Sequence, residues 1–181
     1  MTSGARRGPI ILIGFMGSGK SSVGRLVAKK LGCAFRDTDQ LVVRKTGKEI
    51  AQLFAEKGEA FFRLEEMAAL RSLANESYCV VATGGGIVTV EENRKLLAEL
   101  GFVVFLKANE ETIFERVSRN QKRPLLHTAN PRKTLHDLLE TRLPFYESAA
   151  HFTVDTSALS HSEIADEIIA AAREFSWHVA L

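Results

Sequence analysis

The chain has 181 residues, 45% of them hydrophobic and 25% charged, with a formal net charge of +2. That length and apolar share suit a single domain spanning residues 1–181 with a full core, and leave no room for a second independent one. The near balance of charge argues against nucleic acid or a membrane surface as partner, and there is no run of about 18 apolar residues to cross a bilayer. The opening stretch Met1 to Pro9 carries no apolar signal region and no motif, so it reads as a mobile leader and the chain as cytoplasmic. Cys33 and Cys79 lack metal-ligand spacing and are expected to be buried structural thiols.

The first predicted element is an apolar strand, Ile10-Ile11-Leu12-Ile13, and it runs directly into Gly14-Phe15-Met16-Gly17-Ser18-Gly19-Lys20-Ser21. This fits G-x-x-x-x-G-K-[ST] in its required context, a strand before and a helix after. The glycines let backbone N–H groups of Gly17, Ser18, Gly19, Lys20, Ser21 and Ser22 curl around phosphates. Lys20 reaches the β- and γ-phosphates, and the Ser21 hydroxyl can ligate Mg²⁺. Val23, Leu26, Val27 and Leu31 then recur at helical spacing until Gly32 supplies a stop.

Ala34-Phe35-Arg36 is a short strand leading into Asp37-Thr38-Asp39. Read as extended backbone, the two carboxylates point the same way, towards the phosphate end. One can hold Mg²⁺ through water and the other can accept a hydrogen bond from an attacking alcohol; the plain alternative is an Asx-type turn. From Thr46 to Arg71 run two helical patterns broken near Gly58, and the second carries Arg63, either a partner for a carboxylate or phosphate that Glu66 orients or a plain surface ion pair. Tyr78-Cys79-Val80-Val81-Ala82 is a buried strand ending in Thr83-Gly84-Gly85-Gly86, a run best explained by close approach of backbone to a ligand or a neighbouring element, with a plain tight turn as the alternative.

Thr89 and Glu92 form a predicted capping box ahead of a helix through Leu96, Leu97 and Leu100, and Phe102 to Leu106 is the next strand. Asn109 caps a helix carrying Ile113, Phe114 and Val117. The polar stretch 118–130 that follows, with Arg116, Arg119, Lys122, Arg123 and Arg132 in and around it, reads as a lid or else as a solvated basic loop. Asn130 and Pro131 begin a further helix in which Arg142 and Tyr146 share a face, the arginine as a second guanidinium for an anionic substrate and the tyrosine as packing. Phe152-Thr153-Val154 is a last strand, and Ser160 with Glu163 caps a final helix with Ile164, Ile168, Ala172 and Phe175 on one face. The five histidines form no nucleophile or metal pattern and receive no role.

Five strands alternating with helices predict an α/β/α fold, a five-stranded parallel sheet covered on both faces, with ligands at the carboxyl ends of its strands. The loop alone is shared by GTPases, ATPases and small-molecule kinases. There is no Asn-Lys-x-Asp guanine reader, and no hydrophobic strand ends in Asp-Glu as motor-type ATPases require.

The ordered set of Gly-Phe-Met-Gly-Ser-Gly-Lys-Ser, Asp37-Thr38-Asp39, Phe62-Arg63 with Glu66, Gly84-Gly85-Gly86, Arg123-Pro124-Leu125-Leu126 and Arg142 with Tyr146 resembles the shikimate kinases, in the nucleoside-monophosphate-kinase-like branch of P-loop proteins. The resemblance runs from about Ile10 to Ala172. It implies a substrate-binding helical region, a lid, and ATP-dependent phosphorylation of the 3-hydroxyl of shikimate, a step towards chorismate and the aromatic amino acids. It further implies that Lys20, Asp39 and Arg123 are catalytic, with Asp39 as base or orienting group and Arg123 on the transferring phosphate. Arg116 is implied to stack on adenine, with Asp155-Thr156-Ser157 closing over it. Asp39, Arg63, Gly84, Gly85, Gly86 and Arg142 are implied to bind shikimate, the two arginines gripping its carboxylate. Ser21 is implied to hold Mg²⁺, and Asp37 to do so through water. The partners implied are shikimate and ATP, acting on a monomer. The rival readings are another small-molecule kinase of the gluconate type and a kinase-like module that only binds; the second would be expected to lack Lys20, an aspartate or Arg123, and the chain has them all.

Overall fold

The computed structural model of the chain describes residues 8–76, 78–118 and 129–175. In chain order the elements are β1 (Ile10–Ile13), α1 (Lys20–Leu31), β2 (Ala34–Asp37), α2 (Thr38–Thr46), α3 (Ile50–Ser72), β3 (Cys79–Ala82), α4 (Glu91–Leu100), β4 (Phe102–Lys107), α5 (Glu110–Ser118), α6 (Pro131–Ala149), β5 (Phe152–Asp155) and α7 (His161–Glu174), with 3₁₀ turns at Leu73–Asn75 and Ile87–Thr89. The five strands form one parallel sheet in the order β2-β3-β1-β4-β5.

Period-two alternation explains why this sheet has two covered faces. In β1, Ile11 and Ile13 join a cluster with Phe15, Val81, Val103, Phe105 and Tyr146, while Ile10 and Leu12 join another with Val23, Val27, Val80, Val104 and Ile168. All four β1 residues are buried, as a central parallel strand requires. Each such side chain contributes about 1.5–3 kcal/mol by leaving water, so the strand that carries the phosphate loop is among the most firmly held parts of the molecule.

The chain leaves β1 towards β2 on one side and later crosses to β4 on the other. This reversal opens a crevice beyond the carboxyl end of β1, the place where open α/β sheets bind ligands. No helix among the described residues is long and apolar enough to cross a membrane.

Several local expectations are met. Gly32 ends α1 in the left-handed region, Gly58 breaks α3 at φ 79°, Asn130 caps α6, and Ser160 with Glu163 forms a reciprocal capping box on α7. Others are corrected. Thr89 does not cap α4: its hydroxyl donates to the Gly86 carbonyl at 2.7 Å inside a 3₁₀ turn, and Val90 occupies the N-cap with no side-chain bond. Gly8 and Pro9 are buried, and the Pro9 carbonyl accepts from Phe102 N–H at 3.0 Å, so these two belong to the packed body and not to a mobile leader. Residues 1–7, and with them most of that leader, lie outside the described residues.

The largest correction is α2. Asp39 does not continue an extended strand; it sits in the first turn of a helix whose N-cap is Asp37. The Asp37 carboxylate accepts from the backbone N–H of Asp39 at 3.1 Å and of Gln40 at 3.4 Å, which satisfies two donors that a helix start leaves open. The Asx-type alternative is thus realised in this segment, as the N-cap of α2.

Candidate active site

The phosphate loop is built by three glycines at positive φ, Gly14 at 147°, Gly17 at 79° and Gly19 at 93°. Residues with a Cβ rarely adopt these values, and the two at Gly17 and Gly19 turn the backbone around the space in front of α1. Lys20 opens α1, is 9% exposed, and donates from Nζ to the carbonyls of Gly14 and Phe15, each at 2.8 Å. Its ammonium thus spans the mouth of the loop. Ser21 Oγ donates to Asp37 Oδ2 at 3.1 Å, which ties the start of α1 to the end of β2.

A cavity of about 430 Å³ opens here, lined by Met16, Gly17, Gly19, Lys20, Ser21, Ser22, Asp37, Asp39, Thr83, Gly84, Gly85, Arg116 and His161. It joins the loop to the two aspartates and to the glycine run after β3. Thr83 fixes that run to β1 by donating from its hydroxyl to the Leu12 carbonyl at 3.0 Å, and Gly84 N–H donates to Thr38 Oγ1 at 3.0 Å.

Gly84 and Gly86 are pressed by charged side chains, and Gly85 by the backbone of the phosphate loop, where a Cβ would lie 3.3 Å from Met16 N. A Cβ on Gly84 would lie 2.6 Å from Glu66 Oε1 and 2.7 Å from Asp39 Oδ1, and one on Gly86 would collide with the Arg63 guanidinium. The Gly85 carbonyl accepts from the Tyr146 hydroxyl and, at 3.5 Å, from Arg142 Nη1. Tyr146 packs as expected, fully buried and stacked on Phe105, but it also holds the backbone of the glycine run, which the packing reading alone leaves out. Burial pushes its phenol far up, so it stays a donor.

Arg63 is held by Glu66 at 2.8 Å and by Glu59 at 2.9 Å. Burial opposes its charge, yet the two carboxylates outweigh that and hold its pKa above the ordinary value. Glu66 is completely withdrawn from solvent; burial raises its pKa, Arg63 pulls it down, and neighbouring Asp39 adds to the rise. Glu66 Oε1 has no hydrogen-bond partner among the described residues. Two guanidinium groups, Arg63 and Arg142, and two carboxylates, Asp39 and Glu66, thus converge on one glycine turn beside a phosphate loop.

On the far side of the loop, Arg116 Nη1 donates to the Gly17 carbonyl at 3.3 Å and Nη2 to the Thr156 carbonyl at 3.0 Å. Asp155, Thr156 and Ser157 therefore do border the loop, through a buried Thr156 that also donates to the Ser18 carbonyl at 3.4 Å. Arg132, grouped in sequence with the basic stretch, pairs with Glu111 on the surface and covers the Phe114 ring. Arg123, and residues 119–128 of the expected lid, lie outside the described residues.

Thr38, which braces Gly84, and His161, which lines the cavity, carry little signal in the sequence. A polar side chain between two aspartates is a weak clue to the first. A lone histidine at a helix start has no pattern to reveal the second.

A phosphate loop on the central strand of a parallel sheet, facing a wall of paired arginines and carboxylates, defines a P-loop phosphotransferase of the nucleoside-monophosphate-kinase-like class. A family model described as shikimate kinase matches residues 16–173. A shikimate kinase of Thermodesulfovibrio yellowstonii is 45% identical over 160 residues, covering 88% of this chain and 92% of its own. The structure of a shikimate kinase from Acinetobacter baumannii in complex with shikimate superposes with a TM-score of 0.89 at 38% identity, covering 94% of this chain and 96% of its own. A gluconokinase from Sinorhizobium meliloti, at 23% identity and a TM-score of 0.63 over 94% of each chain, shares the fold alone. The chain belongs to the shikimate kinase family.

Proposed function

We propose that this cavity transfers the γ-phosphoryl group of ATP to the 3-hydroxyl of shikimate, yielding shikimate 3-phosphate on the way to chorismate. The observation that carries the reading is the meeting of Lys20 and the loop with Asp39, Glu66, Arg63 and Arg142 around Gly84 to Gly86. A small carboxylated polyol needs cations for its carboxylate and acceptors for its hydroxyls, and both stand around the glycine run that borders this cavity.

The loop amides from Gly17 to Ser22 cradle the phosphates, and Lys20 exchanges its carbonyl partners for phosphate oxygens. Asp39 accepts a hydrogen bond from the attacking hydroxyl and holds it in line with the phosphorus, so that the new O–P bond forms as the bond to the ADP oxygen breaks and the hydroxyl proton leaves to the Asp39 carboxylate or to an oxygen of the transferred phosphoryl group. Arg63 and Arg142 grip the carboxylate as planar forks, with Glu66 and Glu59 fixing the first of them and Gly84, Gly85 and Gly86 forming the wall. Arg116 stacks on the adenine beside Thr156, and Arg123 neutralises charge on the transferring group.

Ser21 Oγ and the Asp37 carboxylate, 3.1 Å apart at the cavity wall, are a hard all-oxygen pair that suits Mg²⁺, which keeps much of its water and binds through few protein ligands. Ser21 would hold the ion directly and Asp37 through water, and the ion would supply positive charge to offset that of the phosphates. The chain acts as one unit over residues 1–181, as a cytoplasmic monomer.

A coupled ADP-release assay with ATP, Mg²⁺ and shikimate tests the proposal, with gluconate and nucleoside monophosphates as parallel acceptors. ADP release with shikimate alone is expected; turnover with gluconate in its place would overturn the assignment.

A further inference from the structure

His161 is the first residue of α7, and its ring lines the same cavity as Gly17, Gly19, Lys20 and Arg116. Its Nε2 lies 3.9 Å from the point that a Cβ on Gly19 would occupy, ordinary van der Waals distance. On the opposite flank of the loop, a Cβ on Gly17 would meet the Arg116 Cβ at 3.7 Å. His161 and Arg116 therefore border the loop at Gly19 and Gly17, whereas Asp39 and Gly84 mark the acceptor end of the cavity.

The ring stands on rigid elements. The reciprocal Ser160 and Glu163 capping box fixes the first turn of α7, with Glu163 Oε2 accepting from Ser160 N–H at 2.8 Å. Lys30 of α1 donates to Ser162 Oγ at 3.0 Å and pairs with Asp166 at 2.7 Å, so α7 is held to the helix that begins at Lys20. The imidazole is exposed and makes no hydrogen bond among the described residues. The backbone that carries this polar ring is thus held beside the phosphate loop, and the ring's bonding capacity is unspent on the described residues.

A nucleoside triphosphate whose terminal phosphate faces Asp39 and Gly84 must run its nucleoside towards the opposite end of the cavity. The loop amides and Lys20 already serve the β- and γ-phosphates. We propose that His161 is a nucleotide-binding residue, its imidazole N–H donating to the oxygens where the α-phosphate joins the ribose. This rests on the reading of the cavity as an ATP site and adds to it a contact outside the phosphate-loop motif. A hydrogen bond to a charged acceptor contributes roughly tenfold in affinity when partly solvated.

Calorimetric titration of MgADP, magnesium tripolyphosphate and shikimate into the wild type, His161→Ala and His161→Gln tests the assignment. His161→Ala should weaken MgADP roughly tenfold and leave shikimate affinity, measured without nucleotide, at the wild-type value. His161→Gln, whose amide nitrogen reaches the position of Nε2, should retain most of the MgADP affinity. An equal loss for tripolyphosphate puts the contact on the phosphate side, and a loss confined to MgADP puts it on the ribose. MgADP binding to His161→Ala as tight as to the wild type, or an equal loss in both variants, would overturn the proposal. Failure of the wild type itself to bind MgADP would remove the nucleotide reading beneath it, a separate and distinguishable result.

Discussion

Arg63 Nη1 lies 2.8 Å from Glu66 Oε2, and the glutamate is fully withdrawn from solvent while the arginine keeps 17% of its side chain exposed. The pair is thus asymmetric: the buried carboxylate acts as an anchor and the guanidinium presents its remaining donors outward. Such a pair adds little net stability, because desolvation of the carboxylate offsets much of the attraction. Its value is to fix the fork of Arg63 against Gly86.

Glu66→Gln keeps the shape and removes the charge. A hydrogen bond to a charged group is worth about 1.5–3 kcal/mol, so shikimate affinity should fall roughly 10-fold or more. MgADP affinity should not change, because Glu66 does not line the phosphate loop. Parallel titrations of the two ligands decide the matter, and unchanged shikimate binding would show that Arg63 needs no anchor.

Asp39→Asn should cut turnover by roughly 10²-fold or more, since an amide is a poorer partner for the attacking hydroxyl. ATP binding should survive in the same variant. Steady-state kinetics at saturating shikimate, set beside MgADP titration, separates the two effects; near-normal turnover would remove Asp39 from the chemistry.

Gly84→Ala tests the close approach on which the acceptor wall depends. The added methyl would lie 2.6 Å from Glu66 Oε1 and 2.7 Å from Asp39 Oδ1. Displacing both carboxylates should cost about 1–3 kcal/mol in stability and most of the shikimate affinity. Thermal melts with and without shikimate measure both, and a variant that melts and binds like the wild type would mean that the wall yields without loss.

His151 Nδ1 accepts from Val103 N–H at 3.0 Å, and the ring stacks on Phe175 with centroids 4.9 Å apart. Partial burial holds its pKa below the ordinary value. A folded-state pKa below the unfolded one means that the unfolded chain binds the proton more readily, so this contribution is full above about pH 6.5 and is lost as pH falls below it. Protonation also turns Nδ1 into a donor facing another donor. The melting temperature of the wild type should therefore fall more between pH 7.5 and 5.5 than that of His151→Asn, whose side-chain oxygen can accept without titrating. Parallel slopes for the two proteins would clear His151 of the effect.

Much of this site is legible in the chain as written. The phosphate loop is a contiguous motif, so its geometry follows from local steric preferences at Gly17 and Gly19 and from the apolar strand before them. The caps at Asn130 and Ser160 are equally local, each decided within four residues. Thr89 failed as a cap although it has the same pattern, because its hydroxyl found the Gly86 carbonyl in a turn set by the glycine run. Helix α2 was hidden for a related reason: Asp37 reads equally well as a strand end and as a helix cap, and only its bonds to the N–H groups of Asp39 and Gln40 decide between them.

By itself the sequence determined the class of chemistry, a triphosphate cradle with aspartates, arginines and a glycine run in a recognisable order, since those signals depend on short-range sterics and residue type. Only the tertiary structure decided which groups meet. Arg63 and Glu66 come from α3, Arg142 and Tyr146 from α6, Asp39 from α2 and His161 from α7, and the sheet order β2-β3-β1-β4-β5 brings them to one crevice. Contacts between residues so far apart along the chain follow from packing the two faces of that sheet, a cooperative property of the whole core that no local pattern encodes.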